Sequence, residues 1–584
     1  MIKILIAVLK HFIAEVLIIF SFIFFINNYI GNTDKTINAD GVGYYDYLPS
    51  IFIHHDFVRN YNSIKEDPLL YNRIISTGVY VDYNDFKVDK YPCGTALLQL
   101  PFFAYTYFTS NLSGDNNDGY QGSFQKTIFY SALFYLFLNI LFLKKILTLY
   151  NIKKYIIIFC QLTLVLATSV THYSSYDAGY SHIYSLFAIT AFIYFIKSYL
   201  HQKKINHFFL GCLFLGLIFI LRQPNILIIV FIPFLAGSVE NLKTGIRSLF
   251  TNKRSLMLGI ILFIGMSSIQ SIAWYLQTGH FFVYSYQGES FNFLDPHFYS
   301  ILFSYKKGLF IYTPILLFTI LSIIWFAYKK YFYLLFTWVS FFLIVTYVLS
   351  SWWSWFYGCS YGLRAYIDYY TVFFIPFAFM LNSINVTPRI LVMILALPSV
   401  PLNIIQTYQY KEFILHWIDM DKEKYWKIFL KTDDRFKGLV WKNNFDSNLY
   451  YTLDEINIGD VFFPKNTINE VHKISTIDIP NFDKVSIIQV LIDNAYQENN
   501  DTRIVLSINK SSDKYNYYWH ERYLLHFHEK YLNQFQTGFF NFEFNPIVDN
   551  QEKTVTLEVK TGNQNDYLKN VRLKFLSKTI ANNK

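Results

Sequence analysis

Two carboxylates stand where chemistry is easiest to place. Asp40 and Asp46 lie in the stretch INADGVGYYDYLPSIFIHHDF, directly after a first apolar segment at 12–30. They are one to two helical turns apart, with tyrosines and a pair of glycines between them. A carboxylate at the mouth of a membrane helix is a general base that meets a water-borne hydroxyl and a lipid-borne leaving group at one place. The plainer role for Asp40 is to cap the helix that follows.

The candidate cations are Lys90, Arg222 and Arg364. Arg222 in LRQPN and Arg364 in SYGLRAYIDYY sit among aromatic and apolar residues near the ends of apolar segments. Charges so placed are costly and usually functional, and the guanidinium fork suits a phosphate. Lys306 and Lys307 read instead as side chains that snorkel to the head groups. The loop THYSSYDAGYSHIYS holds His172, Asp177 and His182. These three form a candidate divalent-metal set by ligand type, but their spacing matches no metal signature, and hydrogen-bonded loop histidines are the simpler reading. Cys93 and Cys359 fall in loops beside Lys90 and Arg364. They are either two independent thiols or a disulfide in an oxidising outer compartment. Cys160 and Cys212 fall in apolar segments.

The elements that position these residues follow from composition and hydropathy. The chain has 584 residues, 53% hydrophobic, with 60 Phe and 49 Tyr, which indicates a membrane protein with soluble mass attached. Its net charge of +9 is spread out, with no basic run to suggest nucleic acid. The first apolar segment lacks a small-residue cleavage site and reads as a retained helix. A span needs about 20 apolar residues. Segments at 12–30, 124–143, 155–172, 182–199, 206–221, 225–238, 256–276, 308–327, 331–350, 369–382 and 389–408 make about eleven. The piece at 95–107, interrupted by Pro101, reads as lying on the membrane surface. Lys and Arg concentrate in alternate loops, which places the N-terminus in the cytoplasm and 31–123 outside, with everything after about 409.

Residues 409–449 are aromatic and charged, an interfacial linker with a helix near 421–431. From 450 to 584 short alternating runs such as VSIIQVLID and TVTLEVK, separated by turn residues, predict an antiparallel β-sandwich. The expected fold is therefore a polytopic α-helical membrane domain over 1–408, a linker, and an all-β domain.

Taken in order, NADGVGYYDY, KYPCGTALLQLPF, SYDAGYSHIYS, LRQPN, KKGLFIYTP and WWSWFYGCSYGLRAYIDYY resemble the GT-C superfamily of polytopic glycosyltransferases, such as the protein O-mannosyltransferases and the aminoarabinose transferases of lipid A. The resemblance covers about 1–440 and rests on the order of the motifs. It implies a bacterial inner-membrane enzyme that moves a sugar from a polyprenyl-phosphate donor to a glycan, lipid or protein acceptor at the outer face. It also implies inversion at the anomeric carbon. Asp40 then matches the catalytic base of the first outer loop, although Gly41 follows it where many members have a second acidic residue. Asp46 is the alternative base. Lys90, Arg222 and Arg364 are candidates for the leaving phosphate, and Asp177 and His182 join them as substrate-binding candidates. A lipid-linked oligosaccharide flippase would more often show internal repeats, and a polysaccharide polymerase or ligase would place its large outer loop late in the chain.

Overall fold

A computed structural model describes residues 2–27, 35–58, 78–113, 118–433, 436, 439–441, 450–463, 470–479, 482–494, 502–510, 516–523, 536–543, 553–560 and 567–578. The chain divides into two compact units. One is Met1–Tyr408 with Trp417–Asp421, and the other is Gln409–His416 with Lys422–Lys584. Part of the first long loop, 59–77, and the end of the expected linker, 442–449, lie outside the described residues.

The first unit is helical. Its elements are α1 (Ile2–Phe25), α2 (Asp40–Phe52), the hairpin strands β1 (Tyr80–Tyr83) and β2 (Phe86–Asp89), α3 (Gly94–Ser113), α4 (Gly122–Leu149), α5 (Lys154–Leu166), α6 (His182–Gln202), α7 (Ile205–Leu221), α8 (Val239–Thr251), α9 (Lys253–Thr278), α10 (Leu317–Tyr328), α11 (Phe332–Ser350), α12 (Tyr370–Ser383), α13 (Val386–Ala396) and α14 (Ser399–Lys411). Among the described residues five helical stretches are long and apolar enough to cross a membrane: α4, α6, α9, α11 and the run from Val386 to Lys411. Several other apolar segments are shorter or broken, and proline is the reason for two breaks. Residues 225–238 form a 3-10 run, Gln223–Phe231, and then a turn of helix, Ile232–Ala236, with Pro224 and Pro233 opening the two pieces. Pro314 likewise opens a short 3-10 turn before α10. Proline has no N–H to donate and suits the first turn of a helix, not its middle. Pro101, by contrast, is absorbed inside α3, which runs unbroken for 20 residues.

Helix α6 is the axis of the unit. It packs on α4 and α7, and α7 packs on α9. Lipid supplies no hydrophobic drive between helices, so polar ties hold the register. Asn139 donates to Thr190 Oγ1 at 2.7 Å, and Thr190 pairs with Thr371 at 2.6 Å, joining α4, α6 and α12. The buried Glu15 of α1 accepts from Gln161 at 2.9 Å and pairs with Lys144 at 3.1 Å.

The long stretch after α1 builds a small platform from α2, the β1–β2 hairpin and α3. Asn84 and Asp85 make the two-residue turn of the hairpin, both at positive φ (46° and 67°), as a type I′ turn requires. Tyr45 donates to Gly119 O at 2.6 Å and Tyr47 to Tyr91 O at 2.8 Å, fastening α2 to the segments around it. Gly94 sets how closely α3 approaches the end of α7. A Cβ there would lie 2.5 Å from the Ile220 carbonyl oxygen, which is backbone and cannot swing aside.

Among the described residues the second unit carries a short helix, α15 (Lys422–Ile428), and eight strands. These are β3 (Tyr450–Phe462), β4 (Val471–Ile479), β5 (Ile487–Asn494), β6 (Arg503–Lys510), β7 (Asn516–Tyr523), β8 (Gln536–Glu543), β9 (Lys553–Lys560) and β10 (Tyr567–Lys578). They form two antiparallel sheets, ordered β3-β10-β5-β8 and β4-β9-β6-β7. First pairs with last, second with second-last, and so inward to β6 and β7, which is the jelly-roll order. Alternate residues such as Ile488, Val490, Ile492, Leu506, Leu557 and Leu573 are buried in one core, as the period of two demands.

Candidate functional site

Asp40 is the first residue of α2. Ala39 before it has φ 42° and ψ −125°, a conformation that is strained for any residue with a Cβ, and no side chain caps the helix. The capping role is therefore not the one Asp40 takes. Its carboxylate accepts from Arg364 Nη1 at 2.5 Å, with the two side chains 23% and 14% exposed. Arg364 stands at the start of a 3-10 turn, Arg364–Tyr369, and its guanidinium lies 5.6 Å from the centre of the Tyr180 ring. The loop before α2 is fixed by the Ile37 amide, which donates to Gln125 Oε1 at 2.6 Å.

Asp46 lies six residues on, roughly 240° round the same helix. It is buried and accepts from Ser50 at 2.7 Å, from Tyr120 at 2.5 Å and from Tyr80. Those three hydroxyls hold the platform together, so Asp46 binds α2 to β1 and the segment before α4. The two carboxylates do not share a site.

Arg222, the residue that ends α7, reaches Asp368 Oδ2 at 3.0 Å. Asp368 is fully buried and also accepts from Asn225 at 2.7 Å and from His182 Nδ1 at 2.9 Å. His182 and Tyr173 rings meet at 5.0 Å, and Tyr173 and Tyr180 at 5.9 Å, so an aromatic path joins the Arg222 cluster to the ring beneath Arg364. Tyr44, buried on α2, is within electrostatic reach of Arg222, Asp40 and Arg364, and burial pushes its phenol up to about 12. Tyr286 feels the same three charges, and Tyr357 feels both arginines. The Tyr44 and Tyr91 rings meet at 4.6 Å with planes tilted by 43°, and Tyr91 meets Tyr286 edge-on at 6.3 Å. Lys90 pairs with Glu289 and sits 5.2 Å from the Tyr286 ring. Asp40, Arg364, Arg222 and Asp368 thus share a tyrosine wall that Lys90 borders.

Two readings left open are narrowed, and one expectation changes. His172, Asp177 and His182 do not converge. His172 pairs with Asp177 at 2.7 Å while His182 turns to Asp368, and among the described residues no group of three or more His, Cys, Asp or Glu is placed to hold a metal ion. Cys93 and Cys359 are both free thiols. Cys93 is packed in the platform core, where its amide donates to Gln270 at 2.7 Å, whereas Cys359 is exposed. Lys307 does not snorkel. It is buried and donates to the Ser360 and Trp417 carbonyls. Burial first, with Arg364 and Lys306 adding to it, pushes its ammonium down to about 7. Lys306 instead lies 4.0 Å from the Phe356 ring centre.

Sequence reading missed Asp368, Glu289, Lys307 and the wall of Tyr44, Tyr286 and Tyr357. Asp368 had a usable signal, since it stands four residues after Arg364 in RAYID and is an intramembrane-flanking acid among aromatics. Glu289 in YQGES had none. No family model, no curated protein and no solved structure matches this chain.

Proposed function

We propose that this chain is a membrane glycosyltransferase of the GT-C kind, moving a sugar from a polyprenyl-phosphate donor to an acceptor hydroxyl on the outer face of a bacterial inner membrane. Asp40 is the base. The observation that carries the proposal is its partly exposed pair with Arg364, with Arg222 within reach of the same tyrosine wall. A carboxylate paired with one arginine, with a second arginine around the same Tyr44, offers both halves of the reaction. Asp40 takes the proton of the acceptor hydroxyl as that oxygen bonds to the anomeric carbon. The bond from that carbon to the phosphate breaks, and its electron pair leaves with the polyprenyl phosphate, whose charge Arg364 and Arg222 stabilise. Tyr44, Tyr91 and Tyr286 pack on one another as the protein wall of that site.

The finer topology belongs to the same reading. It has about eleven spans, the shorter apolar helices and the broken piece at 225–238 counted among them, a cytoplasmic N-terminus, and residues after 409 outside. The resemblance in motif order supports it, as does the alternation of basic loops. The test is incubation of the purified full-length protein with polyprenyl-phosphate sugars. Release of polyprenyl phosphate with sugar on an acceptor is expected. Transbilayer movement of the intact lipid with no cleavage would overturn the assignment.

A further inference from the structure

Helix α8 takes no part in the site above. It follows the apolar pieces Gln223–Ala236 at a bend of 119°. Gly237 makes the corner in a left-handed conformation, φ 77°, and Ser238 Oγ caps α8 by accepting from the Asn241 amide at 3.1 Å. Apolar residues Val239, Leu242, Ile246, Leu249 and Phe250 recur at helical spacing along one side. One edge of that stripe is used by the protein. Gly245 presents its carbonyl to the Tyr199 hydroxyl at 3.0 Å, and Leu242 and Leu249 pack against the helical core. The other edge is bare, with Val239, Ile246 and Phe250 at 51%, 46% and 65% exposed. The flank next to that edge is polar. Lys243, Thr244, Arg247 and Ser248 are exposed and line a surface groove together with Val239, Glu240 and Thr251. Lys253 and Arg254 continue the positive edge, and Lys203 approaches within 3.7 Å of the Cβ position at Gly245. The helix itself carries one acid, Glu240.

We propose that α8 lies in the plane of the membrane interface and binds the head groups of anionic phospholipids through Lys243 and Arg247. A sharp corner after an apolar piece turns the helix across the direction of a span. Its bare apolar edge then enters the acyl region while the cations and hydroxyls meet phosphate, the arrangement of an interfacial amphipathic helix. The surplus of positive charge is what makes lipid the occupant, because an anionic leaflet attracts each basic residue near its surface.

The test uses the purified full-length protein, exchanged into detergent with equal amounts of phosphatidylglycerol and phosphatidylcholine, and reads retained lipid by native mass spectrometry. The wild type retains phosphatidylglycerol in excess. The excess falls about fivefold for each cation removed in Lys243→Gln and Arg247→Gln, and survives in the charge-keeping double variant Lys243→Arg, Arg247→Lys. In the wild type it also shrinks as salt rises, which keeps the test sound if a Gln variant fails to fold. Equal retention of the two lipids, or an excess untouched by both Gln substitutions and salt, overturns the proposal. So does displacement of the lipid by inorganic phosphate, which would mark a free-anion site, or co-purification of a protein that covers Ile246 and Phe250. None of these readouts depends on glycosyl transfer.

Discussion

The Asp40–Arg364 pair makes a prediction with two opposite signs. In the structure Arg364 is already held by Asp40 at 2.5 Å, and both side chains are mostly withdrawn from water. A donor phosphate that binds Arg364 must therefore compete with Asp40. Asp40→Asn keeps the shape but removes both the proton acceptor and the competing charge. Turnover should fall by about 10²–10⁴, the usual worth of a positioned base. Hydrogen bonds to a charged group contribute about 1.5–3 kcal/mol net. If about 1 kcal/mol of that is released, the donor binds roughly fivefold more tightly. Two assays on the purified protein separate the effects: polyprenyl-phosphate release for turnover, and equilibrium titration with the donor lipid for affinity. A protein that merely uses Asp40 as a strut would lose donor binding together with turnover. Turnover within a few-fold of the wild type would refute the assignment of the base outright.

Arg222→Gln takes one of three partners from the buried Asp368, so it should cost about 3–5 kcal/mol of stability and weaken donor binding. Unchanged values of both would remove Arg222 from the site. Asp46→Asn should lower the thermal midpoint, because it disturbs a carboxylate that accepts from Ser50, Tyr80 and Tyr120, yet leave turnover per folded molecule near normal. A cold-stable, catalytically dead variant would return the base to Asp46. Gly94→Ala pushes a methyl against the Ile220 carbonyl, and overpacking of this kind costs about 1–3 kcal/mol. A variant as stable as the wild type in a melting curve would contradict the close approach. Below about pH 7 Lys307 is protonated both folded and unfolded, so it adds no slope. From there up to its ordinary value of 10.5 the unfolded chain holds the extra proton, so stability should rise with pH and Lys307→Met should flatten the rise. A thermal midpoint series that falls over that window, and falls less in Lys307→Met, would reverse the argument.

Local pattern carried well from sequence to structure, and long-range pairing did not. The strands after 450 were legible because their period of two survives into the buried rows Ile488, Val490, Ile492 and Val555, Leu557, Val559. Their jelly-roll order was not, because β3 pairs with β10 across the whole domain and nothing local encodes that choice. Apolar runs located the helices, but Pro224, Pro233 and Pro314 divided them into pieces that hydropathy alone merges. Asp40 and Arg364 each stood out as a charge in an unsuitable place. That they are partners, 324 residues apart, needed the fold. Lys307 misled because an exposed and a buried lysine near a helix end look identical in sequence. The buried one is identified by the Ser360 and Trp417 carbonyls it finds, and those arrive from distant loops.

The charges around the tyrosine wall come in couples: Arg364 with Asp40, Arg222 with Asp368, and Lys90 with Glu289. Their formal charges cancel, so together they project little field beyond a few ångströms. Fields that capture ligands at a distance come from unbalanced charge of one sign. Encounter with a charged donor would then be set by its lateral diffusion in the bilayer, and the second-order rate should barely respond to ionic strength. On the proposed reaction, selectivity for the anion would begin only after contact, when the incoming oxygen atoms exchange places with a carboxylate already there.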